Sequence, residues 1–375
     1  MIQEENKKEI VNKFFQAGHL LTPEALNFLL NSDWQSILEN VKNINKLVLY
    51  KEDISGFEYK DKVKIKKNLI KKPDNLTTET FTKFYSSVFE KMKSIILSRI
   101  NKEFISIENI RQRKMGYIIG RVREIISENE KKIIELEDMT GAKRFAFDNK
   151  FIPNDLMIGD IVAAEFSSSV YKDDILTGKE IIYPDIPLRQ PKKSYGKILI
   201  ISDLHLDEAP KDVLKNFFNF FENSEIKFLI IAGDIGDVNA LNEIVGKTSK
   251  TIFLIPGEKD SPTYPSLPLN IDLESIVSLS NPSLIEINDV KILIIHNFDI
   301  SMLKKRYLGP SKLILEEDYL SLDEIPDIIA CGHTHEPGIF NYKSVTIANA
   351  GSLLTEFRPI LIDLSTREYK QLKFD

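Results

Sequence analysis

KILIISDLHL, Lys197 to Leu206, decides how the second half of this chain reads. Ile198 to Ile201 run unbroken into Ser-Asp-Leu-His. An apolar run without polar alternation is a strand buried on both faces, as in α/β sheets. The carboxylate and imidazole come only where the strand stops, at the sheet edge where loops carry chemistry. The pattern recurs in FLIIAGDIGD (228–237), TIFLIPGEKD (251–260), VKILIIHNFD (290–299), DIIACGHTHEPG (327–338) and VTIANAGSLL (345–354). The expected architecture of this part is α/β.

Upstream, the proline-punctuated YPDIPLRQPKKSYG (183–196) marks a boundary. Before it, MGYIIGRVREI (115–125), KKIIELEDMTGAKRFAF (131–147) and GDIVAAEFSS (159–168) alternate with period two between Gly, Asp and Asn breaks. This suggests a small five-stranded barrel of the oligonucleotide-binding type, with a sandwich nearly as good a fit to the periodicity alone. Arg111, Arg113, Lys114, Arg121 and Arg123 would form a basic rim suited to nucleic acid. In LTTETFTKFYSSVFEKMKSIILSRI (76–100), Phe81, Phe84, Tyr85, Phe89, Met92, Ile95 and Ile96 share one helical face and are expected in the core. YKDKVKIKKNLIKK (59–72) has only a short alternation and is expected to be a partly extended, basic linker. At the front, Thr22 is a natural N-cap with Pro23 at the first helical position, and Leu26, Phe28, Leu29 and Leu30 follow as a buried stripe. The expected organisation is a helical region 1–45, a basic linker and helix 46–105, a barrel 106–187 and an α/β domain 195–375.

The 375 residues suffice for two or three domains, and 42% hydrophobic with 28% charged residues is ordinary globular composition. Net charge is −6 but uneven: residues 1–150 carry 28 Lys and Arg against 22 Asp and Glu, and the remainder 22 against 34. That asymmetry implies different partners for the two halves, or differently composed solvated faces. The single cysteine, Cys331, excludes an intrachain disulfide and suits a reducing cytoplasm. The polar, acidic start MIQEENKKEI is unlike a signal peptide, and no apolar run approaches the roughly 20 residues of a membrane span. The expectation is a cytoplasmic protein with no membrane contact.

Of five histidines, His205, His296, His333 and His335 all follow apolar strands of the last domain, as do Asp203 and Asp234. A lone histidine there is more often a surface or satisfied residue than a ligand, and D-x-H or G-D arises widely by chance. Together and in order, imidazoles and carboxylates at strand ends are the donor set of a divalent-metal site.

ISDLHL, AGDIGD, PGEKD, IIHN and CGHTH resemble, in order, the five motifs of calcineurin-like metallophosphoesterases, usually D-x-H, G-D, G-N-H-D, H and G-H-x-H. LTPEAL, SIILSRI, IIELEDMTG, YPDIP, NPSLIEINDVKILIIH and EIPDIIACGHTHEPGIFNYKSVTIANAGS extend the resemblance over nearly the whole chain, to the small-subunit family of archaeal D-family DNA polymerases. The related B-subunits of eukaryotic replicative polymerases share the barrel-plus-phosphoesterase plan with a decayed site. The resemblance implies a four-layer α/β sandwich behind an oligonucleotide-binding-fold barrel and a small helical region. It implies two divalent metals, typically manganese, with magnesium, iron or zinc as alternatives. Asp203, His205 and His335 would bind one, Asp234 would bridge, and His296 and His333 would bind the second. The implied reaction is 3′–5′ exonucleolytic proofreading on DNA, whether primer–template or single-stranded 3′ end, beside a large catalytic polymerase subunit.

Two departures stand out. Glu258 and Lys259 occupy the Asn and His positions of the third motif, and Asn297 with Phe298 replaces the glycine and serine common after the fourth. Glu258 retains the chemistry of a hard-metal ligand but adds negative charge. Lys259 takes the place of the catalytic histidine, and lysine, ordinarily titrating near about 10.4, donates protons poorly at neutral pH. The same sequence is thus compatible with a nuclease subunit, with an inert scaffold for the large subunit, or with a stand-alone metallophosphoesterase. The helical region and barrel speak against the last.

Overall fold

The computed structural model describes residues 2–30, 32, 34–42, 44–55, 61–71 and 77–374. The chain opens with α1 (Ile2–Gln16), β1 (Leu20–Leu21), α2 (Pro23–Leu30), α3 (Trp34–Val41), β2 (Val48–Leu49) and α4 (Lys51–Ser55). Thr22 caps α2 by accepting the Ala25 amide at 3.2 Å. Ala25 and Leu29 lie fully inside a small core with Ile10, Phe14, Ile37 and Leu49, whereas Leu26, Phe28 and Leu30 are only half-buried.

The basic stretch expected as a linker contributes β3 (Val63–Lys67) to the last domain. The strand pairs antiparallel with residues 284–287, Ile65 opposite Ile285, and Lys64 meets Glu286 at 2.7 Å. Its short alternation was the visible trace of this edge, where lysines discourage further pairing. Residues 59, 60 and 72 of the quoted stretch lie outside the described residues. Helix α5 (Thr78–Arg99) begins at Thr77, which forms a capping box with Thr80. Phe84, Phe89, Met92, Ile95 and Ile96 are buried as expected, but Phe81 and Tyr85 are 44% and 43% exposed. The helix makes its main packing contact only from Phe84 onward, and the Tyr85 ring instead receives the Arg121 guanidinium.

Five strands, β4 (Met115–Glu128), β5 (Lys131–Asp138), β6 (Gly141–Asp148), β7 (Ile161–Lys172) and β8 (Ile175–Ile182), close into a barrel in the order β4-β5-β6-β8-β7. Pairing of β7 with β4 completes the ring and removes the free edges that a sandwich would leave. Ile118, Val122, Ile134, Leu136, Phe145, Phe147, Val162 and Phe166 fill the interior from alternate positions.

The last domain contains β9 (Lys197–Ile201), α6 (Lys211–Asn223), β10 (Phe228–Ala232), α7 (Val238–Val245), β11 (Thr251–Ile255), β12 (Ile276–Ser278), β13 (Ser283–Ile287), β14 (Val290–Ile294) and α8 (Ile300–Lys305). It continues with β15 (Ile328–Cys331), β16 (Gly338–Tyr342), β17 (Val345–Asn349), β18 (Ile360–Asp363) and β19 (Tyr369–Gln371). Two six-stranded sheets form, ordered β12-β11-β10-β9-β18-β19 and β16-β17-β15-β14-β13-β3. Alternation decides the layering. Ile198, Ile200, Ile230, Phe253 and Ile255 meet Ile285, Ile292, Ile294 and Ile328 between the sheets. Leu199, Ile201, Leu229, Ile231 and Leu254 face α6 and α7 instead. Leu293, Ile295 and Ile329 point outward to α8 and the following loops. Helices, sheet, sheet, and a layer of α8 with loops give the expected four-layer sandwich.

The barrel and this domain are joined by a buried ion pair, Lys305 Nζ to Asp160 Oδ2 at 2.8 Å, with the Asp155 carbonyl accepting from the same ammonium at 2.6 Å. Removing one partner of a buried pair strands the other charge, which costs about 3 kcal/mol or more. Lys305→Ala should therefore lower stability by about 3 kcal/mol, and Lys305→Ala/Asp160→Leu should recover most of it. Calorimetric unfolding of the variants checks this; equal melting of the single and double variants would refute it.

Candidate active site

The loops after β9, β10, β11, β14 and β15 converge at one end of the two sheets. Parallel pairing of β9 with β10 and β10 with β11 delivers residues 203–205, 234 and 257–260 to the same edge. Parallel pairing of β14 with β15 does so for 296 and 333–335. At five of these positions the backbone is left-handed: Asp203 (φ 53°), His205 (45°), Asp234 (51°), His333 (73°) and His335 (59°). Non-glycine residues seldom adopt this region, and such strain gathers at functional sites.

Two overlapping groups of donors result, Asp203–His205–His335 and Asp203–Asp234–His296, each with ligand atoms within 4.8 Å of one another. Asp203 is common to both, with Oδ1 3.3 Å from His335 Nε2 and 4.0 Å from His296 Nε2. His205 and His335 face each other through their Nε2 atoms at 3.0 Å. The side chains of Asp203, His205 and His296 are fully buried. His296 Nδ1 donates to the Ala232 carbonyl at 2.8 Å, which fixes the tautomer and turns Nε2 toward Asp234, 3.4 Å away. That buried Nε2 makes no hydrogen bond, nor does His205 Nδ1. An orphaned, buried Nε2 on His296 turned toward two carboxylates fits a divalent metal.

Burial raises Asp203 above the ordinary carboxylate range despite the neighbouring imidazoles and the His333 amide. Burial would raise Asp234 too, but the His296 ring and the Lys259 amide outweigh it and hold the carboxyl at about 2. His296 runs the other way: burial opposes its charge, yet Asp234 and Asp203 push its pKa up. Burial lowers His205.

His333 and Glu258 stand apart from both groups. The His333 side chain is 40% exposed, and its Nδ1 lies 3.7 Å from Glu258 Oε2. Glu258 Oε1 accepts from Asn297 Nδ2 at 3.2 Å. Lys259 directs its half-exposed ammonium outward, 3.9 Å from Glu208, while its amide donates to Asp234 Oδ1 at 3.0 Å. Of the basic rim, Arg113 pairs with Glu103, Arg121 with the Tyr85 carbonyl and Glu137, and Arg123 with Glu135 and Glu137. Arg111 and Lys114 are exposed near the start of β4.

Sequence reading missed the role of Asp260. Its carboxylate accepts the amides of Ile235 and Gly236 at 3.0 Å and of Gly257 at 2.8 Å, tying the turn after β11 to the turn after β10. A G-D turn facing a second turn that ends in Asp is the signal that could have found it. Gly257 belongs to the same device, since a Cβ there would sit 2.0 Å from Asp234 Oδ1.

Residues 197–360 match the model of the calcineurin-like phosphoesterase superfamily domain. The chain is 25% identical to the DNA polymerase II small subunit of Thermoplasma acidophilum, across 92% of this chain and 86% of that one. It is 26% identical to the DNA polymerase II small subunit of Methanothermobacter thermautotrophicus across 74% and 73%. For the same subunit of Archaeoglobus fulgidus the figures are 25%, 75% and 72%. Among the described residues no helix is long and apolar enough to cross a membrane.

Because Asp260 acts on Asp234 only through backbone, Asp260→Ala should leave the fold intact and weaken manganese binding about 10- to 100-fold, the usual loss when a ligand's support is removed. Titration calorimetry with the metal alone measures it; unchanged affinity would show that the clamp does not position Asp234.

Proposed function

We propose that this chain, which carries a calcineurin-like phosphoesterase domain behind a closed barrel, is the small subunit of a D-family DNA polymerase. In this reading the phosphoesterase domain is a metal-dependent phosphodiesterase of the 3′–5′ exonuclease type. The observation that carries it is the gathering of Asp203, His205, Asp234, His296 and His335, buried or half-buried, at the carboxyl ends of the strands. These residues would hold divalent metal, with manganese the first to try and magnesium, iron and zinc compatible with the same donors. When bound, such metal supplies Lewis acidity at a phosphoryl oxygen and a water acidic enough to attack near neutral pH.

The protein's own groups do the rest. Asp234, held ionised beside His296 and fixed by the Lys259 amide, provides a carboxylate that needs no reorganisation. Lys259, at the rim, would meet a phosphate as a point charge. Arg111 and Lys114, exposed and in no ion pair among the described residues, are the members of the basic group through which the barrel would touch the DNA backbone. The large catalytic subunit is the partner this family role requires, and the cytoplasm the compartment.

A second reading, an inert scaffold for that large subunit, is favoured by one observation: Lys259 leaves no imidazole where the third motif would carry one. One assay separates the two. Full-length protein is given 5′- and 3′-labelled single-stranded oligonucleotides with manganese, beside Asp234→Ala. Stepwise loss from the 3′ end that disappears in the variant is expected. Equal traces for both proteins at high enzyme would leave the scaffold reading.

A further inference from the structure

The two sides of Asp234 are built differently. On the inner side, Asp203, His205 and His296 are fully buried, and His296 presents an Nε2 without a hydrogen-bond partner. His296, the imidazole that the resemblance gives to a second metal, lies in one group with Asp203 and Asp234. Its tautomer is fixed by Ala232, so its free nitrogen faces that group. The inner side is a finished site: fixed rotamers, low exposure and a shared carboxylate at its centre.

The outer side should be completed by His333 and the residue at 258. Here Glu258 engages another protein group, Asn297, and stands beside His333. Glu258 reaches Asn297 through one carboxylate oxygen at 3.2 Å, and its other oxygen lies 3.7 Å from His333 Nδ1. Glu is one methylene longer than the Asn of the usual motif, and that reach spans the gap to Asn297, which itself replaces a glycine. Among the described residues, no group of three potential ligands that includes Glu258 or His333 closes on a common point. Both side chains are well exposed, 58% and 40%, so the pull of an added carboxylate on a cation is screened by water.

We infer that this chain holds one divalent cation, centred on Asp203, and that Glu258, hydrogen-bonded to Asn297 beside His333, keeps a second position closed. The inference rests on the metal-site reading proposed above, not on nuclease activity. The outer position fails for a local reason, so restoring the shorter amide should reopen it.

The test counts metal with manganese alone on the full-length chain, by equilibrium dialysis with paramagnetic resonance of the free ion. Wild type should bind one ion per chain and Glu258→Asn two, the pair visible as spin-coupled manganese. Glu258 is exposed, and its replacement should leave the melting temperature unchanged. Two ions in wild type, none in wild type, or one in both proteins would each overturn the inference. Cleavage of DNA is a separate outcome. One ion without cleavage removes only the exonuclease reading, and cleavage with two ions removes only this one.

Discussion

The carboxylate of Asp203 lies in a place where an ionised group is expensive, buried between the ends of two sheets. Its surroundings are arranged to make that tolerable. Its oxygens accept the His333 amide, its backbone accepts from Ser352 and Leu353, and three imidazoles stand within 4.0 Å. Gly332 is needed beside it, because a Cβ there would come within 2.3 Å of Oδ2. Strands β9, β14 and β15 must therefore end at one level, and that register fixes how the two sheets face each other. A packing defect between the sheets would reach the carboxylate directly.

This dependence explains why the α/β domain was legible. Strands buried on both faces have to be written in continuous apolar residues, and their ends have to be written in whatever the site uses. The barrel was expected and forms, although period two is shared by sandwiches and only the β7–β4 pairing decides. The edge strand β3 was hidden by its lysines. Edge positions need no apolar run, so composition suggested a linker where pairing made a strand. Phe81 and Tyr85 misled for the opposite reason. Helical periodicity shows which face they share, not how far along the helix its neighbours extend.

The site was legible in its ligand-type residues and opaque in its supports. Asp203, His205, Asp234, His296 and His335 announce themselves by chemistry and position. Asp260 does not, since three backbone amides at one carboxylate depend on two turns meeting in space. Three arginines of the barrel already have partners within the fold. Arg113, Arg121 and Arg123 each face a carboxylate or carbonyl, so part of the charge counted along the chain is already paired. The basic excess of residues 1–150 is partly consumed inside the fold.

The turn PGEKD combines two separable tasks, and its departures fall on only one of them. Gly257 and Asp260 hold Asp234 from behind; a side chain at 257 would collide with it, and without the carboxylate at 260 three amides would lose their acceptor. Glu258 and Lys259 project the other way, into solvent, and support nothing in the core. Changing them alters the exposed face of the site while the sheets stay packed. A site can therefore lose or alter its reaction at 258 and 259 and still keep the buried half intact, as the geometry around Asp203 requires. The fold tolerates that change because the strained, buried carboxylates are secured by the backbone of the turn and not by its exposed side chains.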